Sequence, residues 1–180
     1  MIAIATSIPE VRLFEPRVFR DERGFFLESF NRARLAAAGL AAEFVQDNHS
    51  GSIRNVLRGL HYQIRQPQGK LVRVIAGEIL DVAVDIRRGS ATFGQHAAAV
   101  LSADNRRIMW IPRGFAHGFL VRSDFAEVLY KATDYYAPDA ERCILWNDPD
   151  LGIDWGLTAQ PLLSEKDRQA PRLRDAEIFD

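Results

Sequence analysis

Between Lys70 and Thr133 the chain is a succession of short strand-like runs, separated by turn signals, with no helical periodicity between them. Residues 71–75 (LVRVI) lead to Gly77, and 78–86 read EILDVAVDI. There Leu80, Val82, Val84 and Ile86 fall on one face opposite Asp81 and Asp85, with apolar Ile79 and Ala83 blurring the alternation. Further runs cover 93–101, 107–111, 117–122 and 125–133, separated by the turn-prone RRGS, SADN, PRG and RSD segments. Many short strands at this spacing argue for an antiparallel sandwich or barrel rather than βαβ units.

The flanks say less. One helix is legible near the start: Asn31 caps it, Leu35 and Leu40 form its apolar side, and Gly39 stops it. The tail reads as turns around residues 147–149 with one or two short helices. At 180 residues, without a repeat or low-complexity linker, the expectation is one domain over residues 1–180. A net charge of -1 gives no general drive toward nucleic acid or anionic membrane, although local basic clusters can still hold a phosphate. Cys143 is alone, so no intrachain disulfide forms and a reducing compartment is expected. No apolar run is long enough to span a membrane and no secretory signal pattern opens the chain, so the expected location is cytoplasmic.

Two histidines stand in short glycine-containing stretches, His61 in RGLH and His117 in PRGFAH. Arg58, Gly59 and Gln63 flank His61 where a core strand would carry apolar residues. Asp167 is a distant candidate to fix the tautomer of its ring and raise its basicity. His117 begins a strand face with Phe119 and Val121. Tyr130 alternates with Val128 and Ala132, so it is either a core tyrosine or a general acid on the opposite side of a substrate from the base. Lys70, at a strand entrance, is either a solvated lysine or a cation for a phosphate or an enolate oxygen. Arg23 and Arg58 suit a diphosphate, and Phe19, Phe26, Tyr135 and Tyr136 suit stacking on a base or plain packing. Base, acid and cation together are the parts for removing a proton beside a carbonyl and returning it. Regular alternation sends Arg58 and His61 to opposite faces, and a bulge at Gly59 would bring them together.

Residues 112–117 fit P-x-G-x-x-H, similar to the second metal motif of cupin-type barrels. The first such motif normally supplies H-x-H, whereas here His61-Tyr62-Gln63 replaces one imidazole by an amide, so no metal site is expected. Neither G-x-G-x-x-G nor G-x-x-x-x-G-K-[ST] occurs.

The chain resembles the dTDP-4-dehydrorhamnose 3,5-epimerase family along nearly its whole length. The matching stretches include FRDERGFFLESF at 19–30, FVQDNHS at 44–50, NVLRGLHYQ at 55–63 and QGKLVRVIAGEILDVAVDIRRGSATFGQ at 68–95. They continue with WIPRGFAHGF at 110–119, EVLYKATDYY at 127–136, WNDPDLGIDW at 146–155 and LSEKD at 163–167. His96 stands where a tryptophan is familiar, and Gly156 where proline is common.

The resemblance implies a mostly β, cupin-like antiparallel jelly-roll barrel with a few short peripheral helices. It implies a homodimer working without metal or organic cofactor on a dTDP-4-keto-6-deoxysugar. His61 matches the base with Asp167 as its carboxylate, Tyr130 the general acid, and Lys70 and Arg58 the groups around the carbonyl-derived oxygen. His117 matches a histidine near the sugar. Arg23, Glu28, Gln46 and Asn48 match residues lining the nucleotide-sugar site. Phe19 matches a position that crosses the dimer interface, and Tyr135 one that stacks near thymine. The implied reaction is epimerisation at carbons 3 and 5, both acidified by one 4-keto group. Inversion at carbon 3 alone, a metal-dependent cupin reaction, and a non-catalytic nucleotide-sugar-binding barrel are the competing readings.

Overall fold

The strand-like runs from residue 70 onward fold as strands, with ends shifted by a few residues. In a computed structural model describing residues 1–180, the strands are β1 (Ile2–Ala5), β2 (Arg12–Glu15), β3 (Val18–Asp21), β4 (Gly24–Leu27), β5 (Gln46–Ile53), β6 (Leu57–Gln63) and β7 (Lys70–Ala76). They continue as β8 (Glu78–Asp85), β9 (His96–Ser102), β10 (Ile108–Ile111), β11 (Phe115–Val121), β12 (Phe125–Ala132) and β13 (Glu141–Cys143). Helix α1 spans Arg32–Ala37, with Asn31 Oδ1 accepting from the Arg34 amide, Leu35 and Leu40 buried, and Gly39 at φ +89. A single turn, α2 (Glu165–Arg168), lies in the tail. No helix is long and apolar enough to cross a membrane.

Three sheets result. One has six strands in the order β1-β2-β10-β7-β12-β5, a second has five in the order β13-β6-β11-β8-β9, and β3 and β4 form a separate hairpin. The large sheets face each other across a core that includes Val72 and Val74 from β7, Met109 and Ile111 from β10, Ile79 and Ala83 from β8, and Phe115, Phe119 and Val121 from β11. Full burial of a side chain of this size is worth about 1.5–3 kcal/mol, so these faces set the layering. The outer face of the five-stranded sheet (Leu80, Val82, Val84, Ile86) is covered by the tail through Ile144, Leu151, Trp155 and Leu173. The outer face of the other takes α1, where Leu35 and Leu40 meet Phe14, Leu71 and Ile108.

The expected cupin-like jelly-roll barrel is not what forms. Neither large sheet closes on itself: β1 and β5 are the edges of one, β13 and β9 the edges of the other. A barrel needs its edge strands to find ladder partners. Here β1 has four residues, β13 has three, and β5 (QDNHSGSI) is polar along its length. The mostly β content and short helices agree with expectation; two open sheets replace the barrel.

Alternation on β8 also misleads in one respect. Opposite its apolar face, Asp81 and Asp85 do not meet solvent, and both are fully buried. Asp85 pins the turn after β8, accepting from Ser90 Oγ at 2.5 Å, Thr92 Oγ1 at 2.6 Å and Arg87 Nε at 2.9 Å. Gly156, at φ +65, sits in a left-handed conformation closed to the proline common in relatives.

Candidate active site

His61 lies on β6, opposite His117 of β11 on one side and Cys143 of β13 on the other. Its Nε2 is hydrogen-bonded to Asp167 Oδ1 of α2. Asp167 is placed by the start of that helix, where its amide donates to Ser164 Oγ at 3.1 Å. The carboxylate is 3% exposed and the imidazole 25%. Burial pushes Asp167 upward, but the His61 hydrogen bond, the His61 charge and the Ser164 hydroxyl together hold it below its ordinary value. The dyad therefore presents an ionised carboxylate to one ring nitrogen and leaves Nδ1 without a protein hydrogen bond.

Arg58 and His61 share this region because β6 is bulged. His117 pairs with His61 and Phe119 with Arg58, so three steps along β6 oppose two along β11. Gly59 makes this possible: it has φ +132, and a Cβ there would lie 2.5 Å from Gly118 Cα. The reversed parity lets the Arg58 guanidinium reach across to β5, donating to Ser52 Oγ from Nε at 3.1 Å and Nη2 at 3.0 Å.

The six-stranded sheet supplies the facing groups. On β12, Tyr130 packs against the inter-sheet core, and its phenol makes no protein hydrogen bond. Burial, helped by the charge of Glu141 and opposed by that of Arg58, raises its pKa. Lys70 begins β7, with Nζ 5.9 Å from the centre of the Tyr130 ring. Burial draws its ammonium down to about 8 against the pull of Asp81 and Glu141. Next to Tyr130 in register stands Asn48 of β5, whose Oδ1 accepts from Gln46 Nε2 at 2.9 Å. His117, buried, is hydrogen-bonded to Asp81 Oδ1 at 2.7 Å. Burial lowers the His117 pKa, and the nearby Lys70 and His61 charges push the same way against Asp81, favouring the neutral ring. Asp81 Oδ2 is buried without a hydrogen-bond partner.

The two sheets thus bring together His61, Asp167, Arg58 and His117 from one side and Tyr130, Lys70, Gln46 and Asn48 from the other. Phe19, Arg23 and Glu28 do not join them through any hydrogen bond or ion pair. Phe19 and Arg23 are on the β3–β4 hairpin, where the Arg23 guanidinium is engaged with Asp21. Glu28 lies beside α1, accepting from Asn31 Nδ2 at 3.0 Å and pairing with Arg34 at 3.2 Å. Tyr135 stands on an exposed loop, with 62% of its surface free. No group of three or more His, Cys, Asp or Glu side chains is placed to hold a metal ion.

Comparison with known families matches residues 5–175 to the dTDP-4-dehydrorhamnose 3,5-epimerase family. The chain belongs to this family. A Pseudomonas aeruginosa dTDP-4-dehydrorhamnose 3,5-epimerase is 64% identical over 180 residues, covering 99% of each chain. The Salmonella typhimurium enzyme of the same name is 56% identical, over 98% of this chain and 97% of that one. A dTDP-6-deoxy-D-glucose-3,5-epimerase from Legionella pneumophila, solved in complex with dTDP-4-keto-L-rhamnose, superposes with a TM-score of 0.95 at 53% identity, covering 97% and 94% of the two chains.

Two residues of this epimerase-family site, Asp81 and Ser52, were not singled out by sequence reasoning. Asp81 was legible only as a carboxylate on an otherwise apolar inner face, among Ile79 and Ala83. Ser52 belongs to a strand too polar to announce itself. Gln63, which stands where a cupin would place a metal-binding imidazole, instead pins the 135–137 loop. Its Nε2 donates to the Tyr135 carbonyl at 3.2 Å, and its Oε1 accepts from the Ala137 amide at 3.0 Å.

Proposed function

We propose that His61, backed by Asp167, is the base and Tyr130 the acid of a proton-transfer reaction whose developing oxyanion is held by Lys70 and Arg58. The overall reaction is that of the family: the chain is an isomerase that epimerises a dTDP-4-keto-6-deoxysugar at carbons 3 and 5. The observation that carries the assignment of roles is the placement of His61 and Tyr130 on facing sheets, each with a titratable atom free of protein hydrogen bonds.

The ring nitrogen not bonded to Asp167 takes the proton from the carbon beside the 4-keto group, and the electron pair moves onto the carbonyl oxygen as an enolate. The Lys70 ammonium and Arg58 guanidinium offset that charge, an effect of about 3–4 kcal/mol for one well-placed donor. The Tyr130 phenol then delivers its proton to the opposite face of the same carbon, inverting it. Imidazolium and phenolate return to their starting forms by exchange with solvent. Carbons 3 and 5 flank one carbonyl, so repositioning the ring presents the second centre to the same pair.

Gln46, Asn48, Glu28 and Tyr135 are assigned to the nucleotide-sugar side. The hairpin carrying Phe19 and Arg23 is read as serving the site of a second copy in a homodimer. Two features support this: the hairpin makes no polar link to its own dyad, and it exposes Phe19, Phe25 and Phe26 by 48%, 59% and 69%.

The test is proton NMR with dTDP-4-dehydro-6-deoxyglucose in deuterated water. Deuterium is expected at carbons 3 and 5, with loss of both in His61→Ala. Tyr130→Phe is expected to retain washout while losing inversion. Exchange at carbon 3 alone would make this a single-centre epimerase, and none at all would leave a binding protein.

A further inference from the structure

The loop that carries Tyr135 has no ladder of its own. Past the end of β12 at Ala132, residues 134–136 make no backbone-to-backbone hydrogen bond. Three glutamine side chains hold the stretch instead. Gln68 Nε2 donates to the Asp134 carbonyl at 2.8 Å, and Gln46 Oε1 accepts from the Tyr136 amide at 2.8 Å. Gln63 takes the middle: its Nε2 donates to the Tyr135 carbonyl at 3.2 Å and its Oε1 accepts from the Ala137 amide at 3.0 Å. The same Nε2 donates to the Gln66 carbonyl at 2.8 Å, which fastens the loop between β6 and β7 as well. Two carbonyls and one amide call for two donors and an acceptor on one planar group. A carboxamide supplies that set, and neither a carboxylate nor an imidazole does. Gln63 is 4% exposed, so solvent does not replace a bond that is lost.

The reacting groups are held differently. His61 sits in the ladder between β11 and β13, and Tyr130 in the ladder between β5 and β7. Lys70 pairs with Ile111 of β10 and Ala132 of β12. Backbone pairing fixes all three without Gln63, whereas the place of the exposed Tyr135 ring follows from its loop. We propose that Gln63 is a positioning residue for the nucleotide end of the substrate, setting through the backbone of residues 135–137 where the Tyr135 ring stands. This role rests on the assignment of Tyr135 to the nucleotide side and extends it to a residue that acts only through the loop. One strand then serves both ends of the substrate: His61 meets the carbon that loses its proton, and Gln63, two residues on, fixes the loop that receives the base.

Losing a contact that is equal in ground and transition states raises KM and leaves kcat alone. The experiment measures kcat and KM with dTDP-4-dehydro-6-deoxyglucose, and the affinity for dTDP by calorimetry, in the full-length protein. The variants are Gln63→Met, Gln63→Asn, Tyr135→Ala, and each Gln63 change combined with Tyr135→Ala, with a denaturation midpoint for each. Gln63→Met is expected to weaken dTDP binding and raise KM about tenfold while kcat stays within about twofold. Gln63→Asn keeps the amide one methylene short; it should shift both in the same direction by less, and it carries the test if Gln63→Met does not fold. A combined variant should bind dTDP no more weakly than Tyr135→Ala, since both changes remove one contact. A fall in kcat with dTDP affinity kept, no change in either quantity, or losses that multiply in the combined variant would each overturn the proposal. If Tyr135→Ala binds dTDP as tightly as the parent, the nucleotide assignment of Tyr135 fails first. If it weakens binding and neither Gln63 variant does, the role of Gln63 alone fails.

Discussion

Lys70 carries two opposed demands in one side chain. Its ammonium, drawn down to about 8 by burial, is charged at neutral pH and loses that charge as pH rises through this value. On the role proposed for Lys70 the oxyanion then loses a partner, so kcat should fall through an alkaline limb near pH 8. In Lys70→Arg the guanidinium stays charged, and the limb should move up while kcat drops from poorer fit. Stability responds with the opposite sign. The depressed pKa means that charging Lys70 costs the folded state free energy below about 8, a cost that fades as pH approaches the unfolded value of 10.5. Lys70→Met should therefore stabilise the protein by about 1–3 kcal/mol in urea melts at neutral pH, discounting for residual exposure, while abolishing turnover. Gly59 is the other decisive residue. A Cβ at φ +132 and 2.5 Å from the Gly118 backbone has nowhere to go. Gly59→Ala should cost about 2–4 kcal/mol by the same melts, with activity lost beyond what unfolding explains, because the bulge that aligns Arg58 with His61 goes too.

At the scale of elements, the turn after β8 shows how a buried carboxylate fixes a strand end. Asp85 is desolvated, yet bonds from Arg87, Ser90 and Thr92 hold its pKa at about 2. Asp85→Ala leaves those donors unpaired and should destabilise the fold by about 3–5 kcal/mol, read as a lowered denaturation midpoint. In the parent, a folded pKa below the ordinary 3.8 means that this stabilisation is present above about pH 4 and is lost as pH falls through about 2. Elements also show where reading the chain works. The runs that became β7 through β12 were legible because they are short, apolar and bounded by turn signals, although β8 and β11 are buried on both faces rather than alternating. The helix at Asn31 was legible from its cap and stop. Strands β1 to β5 were not legible, since β1 to β4 have four residues each and β5 pairs through its backbone while its side chains are polar.

For the whole molecule, the unresolved demand is the exposed aromatic surface of the β3–β4 hairpin and the adjoining sheet face. Phe25 and Phe26 line a groove of about 390 Å³ with Ile75 and Arg106, whose guanidinium lies 4.2 Å from the Phe25 ring centre. If a second copy covers this face, the protein should sediment as a dimer, and Phe25→Ser with Phe26→Ser should yield monomers. Those monomers should keep a folded His61–Asp167 dyad, seen in its NMR resonances, but turn over substrate at least tenfold more slowly, because the Phe19 and Arg23 hairpin no longer reaches a neighbouring site. A monomeric parent in analytical ultracentrifugation would remove the homodimer reading.

What the sequence determined by itself was local: which segments alternate, where a helix is capped, and which side chains can serve as base, acid and cation. His61, Tyr130 and Lys70 were named from residue type and setting, and Asp167 as a partner for the ring 106 positions away. Only the tertiary structure decided that the His61–Asp167 contact forms, that Asp81 turns inward to His117, and that the sheets remain open. The reason is physical. Periodicity reports which face of a strand is buried, but not against what. Ladder closure, a bulge's change of parity and the pairing of distant charges depend on contacts between segments that no local pattern contains.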